Sequence, residues 1–257
     1  MKIQKITRTV MFVMASLMFM PSMQAQKKAY PFQKRIMSYN VHHCLGMDNL
    51  LTVQRIADII KSQNPDVIAL NELDSVAKRS EYVYQLGELG KMTTYHATYA
   101  ASIPLGTGKY GVGILTREAP KSVKRIPLPG EEPRVLLVVE LENFVFATTH
   151  LDLTEEGRLA SLPIIFKEAK NWKKPFVMAG DWNDEPTSKT MKELTKKFTY
   201  ISDESKFTFS SDEPKICIDY LALFKNGHKT RTDKYQVLNE PVASDHCPIV
   251  ADVTFLK

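Results

Sequence analysis

The sequence predicts a β-rich α/β layered domain. Short apolar runs of strand length recur along the chain, separated by fewer, longer stretches with helical period. Polar residues end those runs repeatedly, and in layered α/β folds strand ends border the ligand crevice.

Taken in order, Ile36–Val41 predicts a strand, and Asn49–Ser62 a helix with Leu50, Val53, Ile56, Ala57 and Ile60 on one face. Pro65-Asp66 then leads into Val67-Ile68-Ala69-Leu70, a run suited to a strand buried on both faces. Further strands are predicted at Tyr110–Thr116, Arg134–Leu141, Phe144–Thr149, Phe176–Ala179, Ile216–Phe224 and Pro248–Phe255. Glu142-Asn143 joins two of these as a hairpin turn. Helices are predicted at Glu155–Asn171, where Pro163 is a candidate kink, and at Ser188–Lys197.

The chain has 257 residues, 34 basic against 29 acidic, for a formal charge of +5, and 44% of it is apolar. That composition excludes a disordered, collagen-like or multi-span membrane protein. Lys2, Lys5 and Arg8 precede an apolar run from Val10 to Met20, followed by a candidate cleavage residue, Ala25. This order predicts a signal peptide over 1–25 and a secreted or periplasmic protein, and the run is too short for a membrane anchor. Residues 1–25 carry three basic residues and no acidic one, which leaves the remainder at +2. No linker or repeat divides 26–257, so a single domain is expected there. A chain near neutrality gives no strong nucleic-acid signal, and a monomer is expected. Cys44, Cys217 and Cys247 stand in apolar contexts and are expected to be free, buried thiols.

The chemistry lies at the run ends. Asn40, Glu72, His150 and Asp181 with Asn183 follow or close apolar runs, Asp219 lies within Ile216–Tyr220, and Asp245-His246 opens the last strand. Carboxylates, carboxamides and imidazoles without an obvious Ser or Cys nucleophile suit a hard cation held by oxygen, with acid-base work by His. Any one of these alone is more commonly a turn former; carboxylates brought together repel unless a cation joins them.

In sequence order, Ser38-Tyr39-Asn40-Val41, Asn64 to Glu72, Tyr110 to Arg117, Thr149-His150-Leu151-Asp152, Gly180-Asp181-Trp182-Asn183, Ile218-Asp219-Tyr220 and Ser244 to Ile249 resemble the motifs of the endonuclease/exonuclease/phosphatase superfamily. The resemblance implies the DNase I-like four-layer sandwich, two packed, mainly antiparallel or mixed β-sheets flanked by helices. It implies Asn40, Glu72 and Asp245 as metal residues, and His150, Asp181, Asn183, Asp219 and His246 as catalytic residues. Mg²⁺ is the expected ion, with Mn²⁺ or Ca²⁺ as substitutes. Asp219 is expected to orient His246, and His246 is favoured over Asp181 as the base because imidazole titrates nearest neutrality. His42, Tyr110 and Arg158 are candidate substrate contacts, although Arg158 also suits a fold-stabilising role. The implied activity is Mg²⁺-dependent hydrolysis of a phosphate ester by in-line water attack, foremost a phosphodiester on a small molecule or lipid head group. A secreted Mg²⁺-dependent nuclease is the alternative enzyme. A non-catalytic binding module on the same scaffold is the alternative outside catalysis, and it would show a lost motif position; none is lost here.

Overall fold

Alternate residues of single strands enter different hydrophobic cores. Ile36, Val67 and Ala69 join one cluster with Val112 and Ile114, whereas their neighbours Met37, Ile68 and Leu70 join another. Both faces of these strands are therefore buried, as the run Val67–Leu70 predicts. The computed structural model describes residues 30–257, so the expected signal peptide over 1–25 and the expected domain start at 26 lie outside the described residues.

The chain runs β1 (Phe32–Asn40), α1 (Val53–Gln63), β2 (Val67–Ser75), α2 (Gln85–Thr93), β3 (His96–Leu105) and β4 (Gly108–Thr116). It continues with β5 (Ser122–Leu128), β6 (Arg134–Glu140), β7 (Val145–Thr148), α3 (Glu155–Lys170), β8 (Phe176–Asp181), α4 (Lys189–Thr195), β9 (Phe198–Tyr200) and β10 (Asp219–Phe224). It closes with β11 (Lys229–Val237) and β12 (Ile249–Leu256). The first sheet has the order β11-β12-β1-β2-β4-β3 and the second β5-β6-β7-β8-β10-β9. Each contains one parallel pair, β1 with β2 and β7 with β8, among antiparallel neighbours.

The sheets pack face to face through Ile36, Val112, Leu137, Phe146, Val177 and Leu221. Ile56, Ile60, Leu86 and Leu89 seal α1 and α2 against the outer face of the first sheet. Leu162, Ile165, Met191 and Leu194 do the same for α3 and α4 on the second. The four-layer sandwich follows directly, and the expected fold class holds.

Several boundaries differ from the sequence reading. The first helix begins at Val53, not Asn49, because Leu45 and Leu51 close a bridge that occupies the intervening residues. The strand expected from Ile216 begins at Asp219, since Ile216 instead bridges Phe209. The helix through Pro163 is continuous from Glu155 to Lys170. The strands β3, β5 and β11 carry no sustained apolar alternation because β3, β5 and β11 are sheet edges, largely exposed along much of their length. All three cysteines are free and buried.

Candidate active site

Strand register assembles the site from both sheets. Parallel pairing of β1 with β2 sets Asn40 opposite Asn71, which brings Glu72 next to Asn40. The pairing of β2 with β4 shifts between Leu70 and Leu73, and Glu72 sits in that irregularity with φ 60°. Such a bulge re-aims one side chain out of the alternation, here towards the cleft. In the second sheet, antiparallel pairing sets Asp181 directly opposite Asp219. Gly180 precedes Asp181 at φ 139°, where a Cβ would strike the Thr149 carbonyl oxygen, so the strand end approaches its neighbour only without a side chain. The loop before β12 supplies Asp245 and His246, and Phe209 bridges to His246.

Asp181 is the hub. Its Oδ2 accepts from Asn40 Nδ2 at 3.0 Å and lies 3.5 Å from Nε2 of both His150 and His246. Its Oδ1 accepts the Asn183 backbone N–H at 2.9 Å. Asn71, wholly buried, accepts the Asp181 backbone N–H on Oδ1 at 2.9 Å and so ties the second sheet to the first. Nδ1 of His246 lies 2.9 Å from Asp219 Oδ2. Burial pushes the His246 imidazole down, but Asp219, Asp181 and Asp245 outweigh it and raise its pKa to about 10. Burial dominates at His150 and lowers it to about 3, with Arg134 adding to that effect against Asp181. Burial raises the Glu72 carboxyl, and the neighbouring Asp245 and Asp181 charges raise it further against the Asn40 hydrogen bond.

A cleft of about 450 Å³ is lined by Glu72, Tyr110, Glu132, Arg134, His150, Leu153, Asp181, Asn183, Phe209, Ile216, Ile218, Asp245 and His246. Seven of the expected site residues are in that lining: Glu72, Tyr110, His150, Asp181, Asn183, Asp245 and His246. Asn40 and Asp219 lie buried among them. His42 lines an adjoining chamber that shares Glu72, Tyr110 and Glu132.

One expectation needs correction. Arg158 does not line the cleft; it donates to Asp184 at 2.9 Å and to the carbonyls of Asp152 and Leu153. Asn40 presents no oxygen to the carboxylates. Its Oδ1 accepts the His42 backbone N–H at 3.1 Å, and its Nδ2 donates to Glu72 and Asp181, both at 3.0 Å. An amide held this way orients both acids.

The donor set fits a divalent cation. Among the described residues no Lys or Arg pairs with Glu72, Asp181, Asp219 or Asp245. Glu72 and Asp245 reach the cleft with oxygen donors of the kind a hard cation takes. Asp181, Asp219 and His246 also each bring a donor atom within 4.8 Å of the others. There, however, the Asp219 to His246 hydrogen bond engages both of those groups, so Glu72 and Asp245 suit the ion better.

Sequence reasoning passed over Asn71 and Arg134. Asn71 was legible as the neighbour of Glu72, and Arg134 as the cation heading the apolar run Val135–Val139.

A four-layer sandwich whose rim gathers carboxylates and two imidazoles defines a phosphoester-hydrolase type of site. Residues 37–246 match the endonuclease/exonuclease/phosphatase family model, and the chain belongs to that family. Members of this family are phosphoester hydrolases that generally depend on divalent metal. No curated protein matches the sequence. Among solved structures, an endonuclease/exonuclease/phosphatase from Beutenbergia cavernae has a TM-score of 0.71 at 20% identity, covering 86% of this chain and 71% of that one. A mannosyl-6-phosphatase from Bacteroides thetaiotaomicron has a TM-score of 0.68 at 14% identity over 85% of this chain and 98% of that one. The human Nocturnin catalytic domain, with bound sulfate, has a TM-score of 0.67 at 20% identity over 88% and 93%.

Proposed function

We propose that the protein is a Mg²⁺-dependent hydrolase of phosphate esters, acting foremost on a phosphodiester of a small molecule or lipid head group. The observation that carries this reading is Asp181, set 3.5 Å from each of two histidines beside acids that, among the described residues, pair with no Lys or Arg. Glu72 and Asp245 would hold the ion, which when bound polarises phosphate oxygens. Asp181 accepts a proton from the attacking water as its oxygen bonds to phosphorus. His246, kept charged by Asp219, gives its proton to the leaving oxygen, and the Asp219 hydrogen bond fixes its ring. His150, neutral, donates one hydrogen bond to the phosphoryl group.

This arrangement reverses the role expected of His246 from sequence, because an imidazole beside three carboxylates is a better acid than base. A solved neighbour that is a sugar phosphatase supports a small ester as substrate. Export rests on the basic-then-apolar start alone, and N-terminal sequencing of protein recovered from cell fractions tests it. Among the described residues no helix is long and apolar enough to cross a membrane.

The test is hydrolysis of an aryl phosphodiester and an aryl phosphomonoester with and without Mg²⁺. Metal-dependent turnover is expected, with Glu72→Ala losing about 10³-fold and recovering partly at raised Mg²⁺. No turnover on any phosphate ester would leave the binding-module reading standing in its place.

A further inference from the structure

Arg134 heads β6 and is only 3% exposed, yet among the described residues neither its Nε nor its Nη1 has a hydrogen-bond partner. Its Nη2 is held loosely, 3.4 Å from Glu132 Oε2. Buried guanidinium groups ordinarily have their donors filled, since an unmet buried donor is destabilising, and more so when charged. This one lines the cleft beside Tyr110 and His150. Nε–H and Nη1–H lie on different edges of the guanidinium plane, so Arg134 is a planar charged group with unfilled donors of the kind that suits an oxyanion.

The surroundings limit what that anion belongs to. Among the described residues Arg134 is the only Lys or Arg in the cleft lining. Arg79, in the adjoining chamber, is already held by both carboxylate oxygens of Asp74 at 2.8 and 2.9 Å. Glu132 lines both spaces and repels a second phosphate. Part of the wall is apolar: Leu153, Phe209, Ile216 and Ile218, with the Phe209 ring 4.8 Å from that of His246. A polynucleotide brings a phosphate on either side of the scissile one, and its binding rests on several Lys or Arg contacts.

Building on the phosphate-ester reading above, we infer that Arg134 anchors the substrate's phosphate, and that the site takes one isolated phosphate group borne on an organic part with an apolar or ring face, not a polynucleotide. The anchor leaves its donors unmet until substrate arrives, which stores a stability deficit at the binding site.

The test uses the full chain with Mg²⁺ and the variants Arg134→Gln and Arg134→Lys. Inorganic phosphate is expected to raise the melting temperature of the wild type and to leave Arg134→Gln unmoved. Without phosphate, Arg134→Gln is expected to melt no lower than the wild type, because an unpaired buried charge has gone. On an aryl phosphate ester its KM is expected to rise roughly 10- to 100-fold, the worth of a charge-assisted hydrogen bond, with Arg134→Lys between the two. An oligonucleotide at equal phosphate concentration is expected to turn over at least about 10³-fold more slowly. An unchanged phosphate shift and KM in Arg134→Gln would overturn the anchor, as would a marked fall in its melting temperature together with one in Arg134→Lys. Oligonucleotide turnover matching the aryl ester, with steep salt dependence, would overturn the substrate class. Wild-type protein that hydrolyses no ester but still shows an Arg134-dependent phosphate shift would sink the catalytic reading alone and keep the anchor.

Discussion

His246 and His150 stand at the same 3.5 Å from one carboxylate oxygen of Asp181, both almost wholly buried, and yet titrate in opposite directions. Burial presses both towards the neutral form. His246 has a second carboxylate, Asp219, at 2.9 Å on its other nitrogen, and becomes a cation with a pKa of about 10. His150 has the Tyr110 hydroxyl there at 3.4 Å, with the Arg134 charge beyond, and is held neutral at about 3. Distance to Asp181 therefore does not decide protonation; the partner on the far nitrogen does. One ring is poised to give a proton and the other only to share one.

If that contrast holds, the two rings are unequal in catalysis. His246→Ala is expected to lower kcat on an aryl phosphate by about 10³-fold or more, and His150→Ala by about 10²-fold, as steady-state rates will show. Equal losses would break the comparison.

Asp219→Asn sharpens it further, since the amide keeps the packing but removes the charge that raises His246. The expected loss is about 10- to 100-fold in kcat near neutrality, and the alkaline limb of the pH–rate profile should move to lower pH.

Stability against pH separates the rings without catalysis. A histidine buried neutral, with its pKa brought down to about 3, contributes stability that is complete above its unfolded value. That contribution is lost as pH falls from about 6.5 towards 3. In chelated protein, His150→Gln should flatten this acid limb in urea unfolding at a series of pH values. A limb as steep as that of the wild type would place the titration elsewhere.

The smallest effect expected is at Asn71, which supports the shared Asp181 and neither ring. Asn71→Ala leaves the Asp181 backbone N–H without its partner and should cost roughly 1–3 kcal/mol in denaturant unfolding.

The rings also show how far sequence reading reaches. Most motif residues stood where an apolar run stops or starts, and seven of the expected site residues line one cleft. The buried strands were legible because both their faces are apolar; β3, β5 and β11 were not, because edge strands lack that pattern. The helix α2 contains Gly87 and Gly90, which weaken its helical signal, and Gly90 packs close to Ala97 only once the fold has formed.

Sequence alone determined the residue types of the site and the order in which the strands deliver them, because local hydrophobic pattern and strand-end position are written in neighbouring residues. Tertiary structure decided what each group does. Asn40 came to brace Glu72 and Asp181, with its oxygen on the His42 N–H. Arg158 turned to Asp184, and Arg134 came to the cleft with its donors unfilled. The two histidines took different protonation states, one charged and one neutral. Each of these outcomes depends on burial and on partners distant in sequence, the 27 residues from Asp219 to His246 and the 141 from Asn40 to Asp181 among them. Electrostatic energy follows distance in space, and only the folded chain sets that distance.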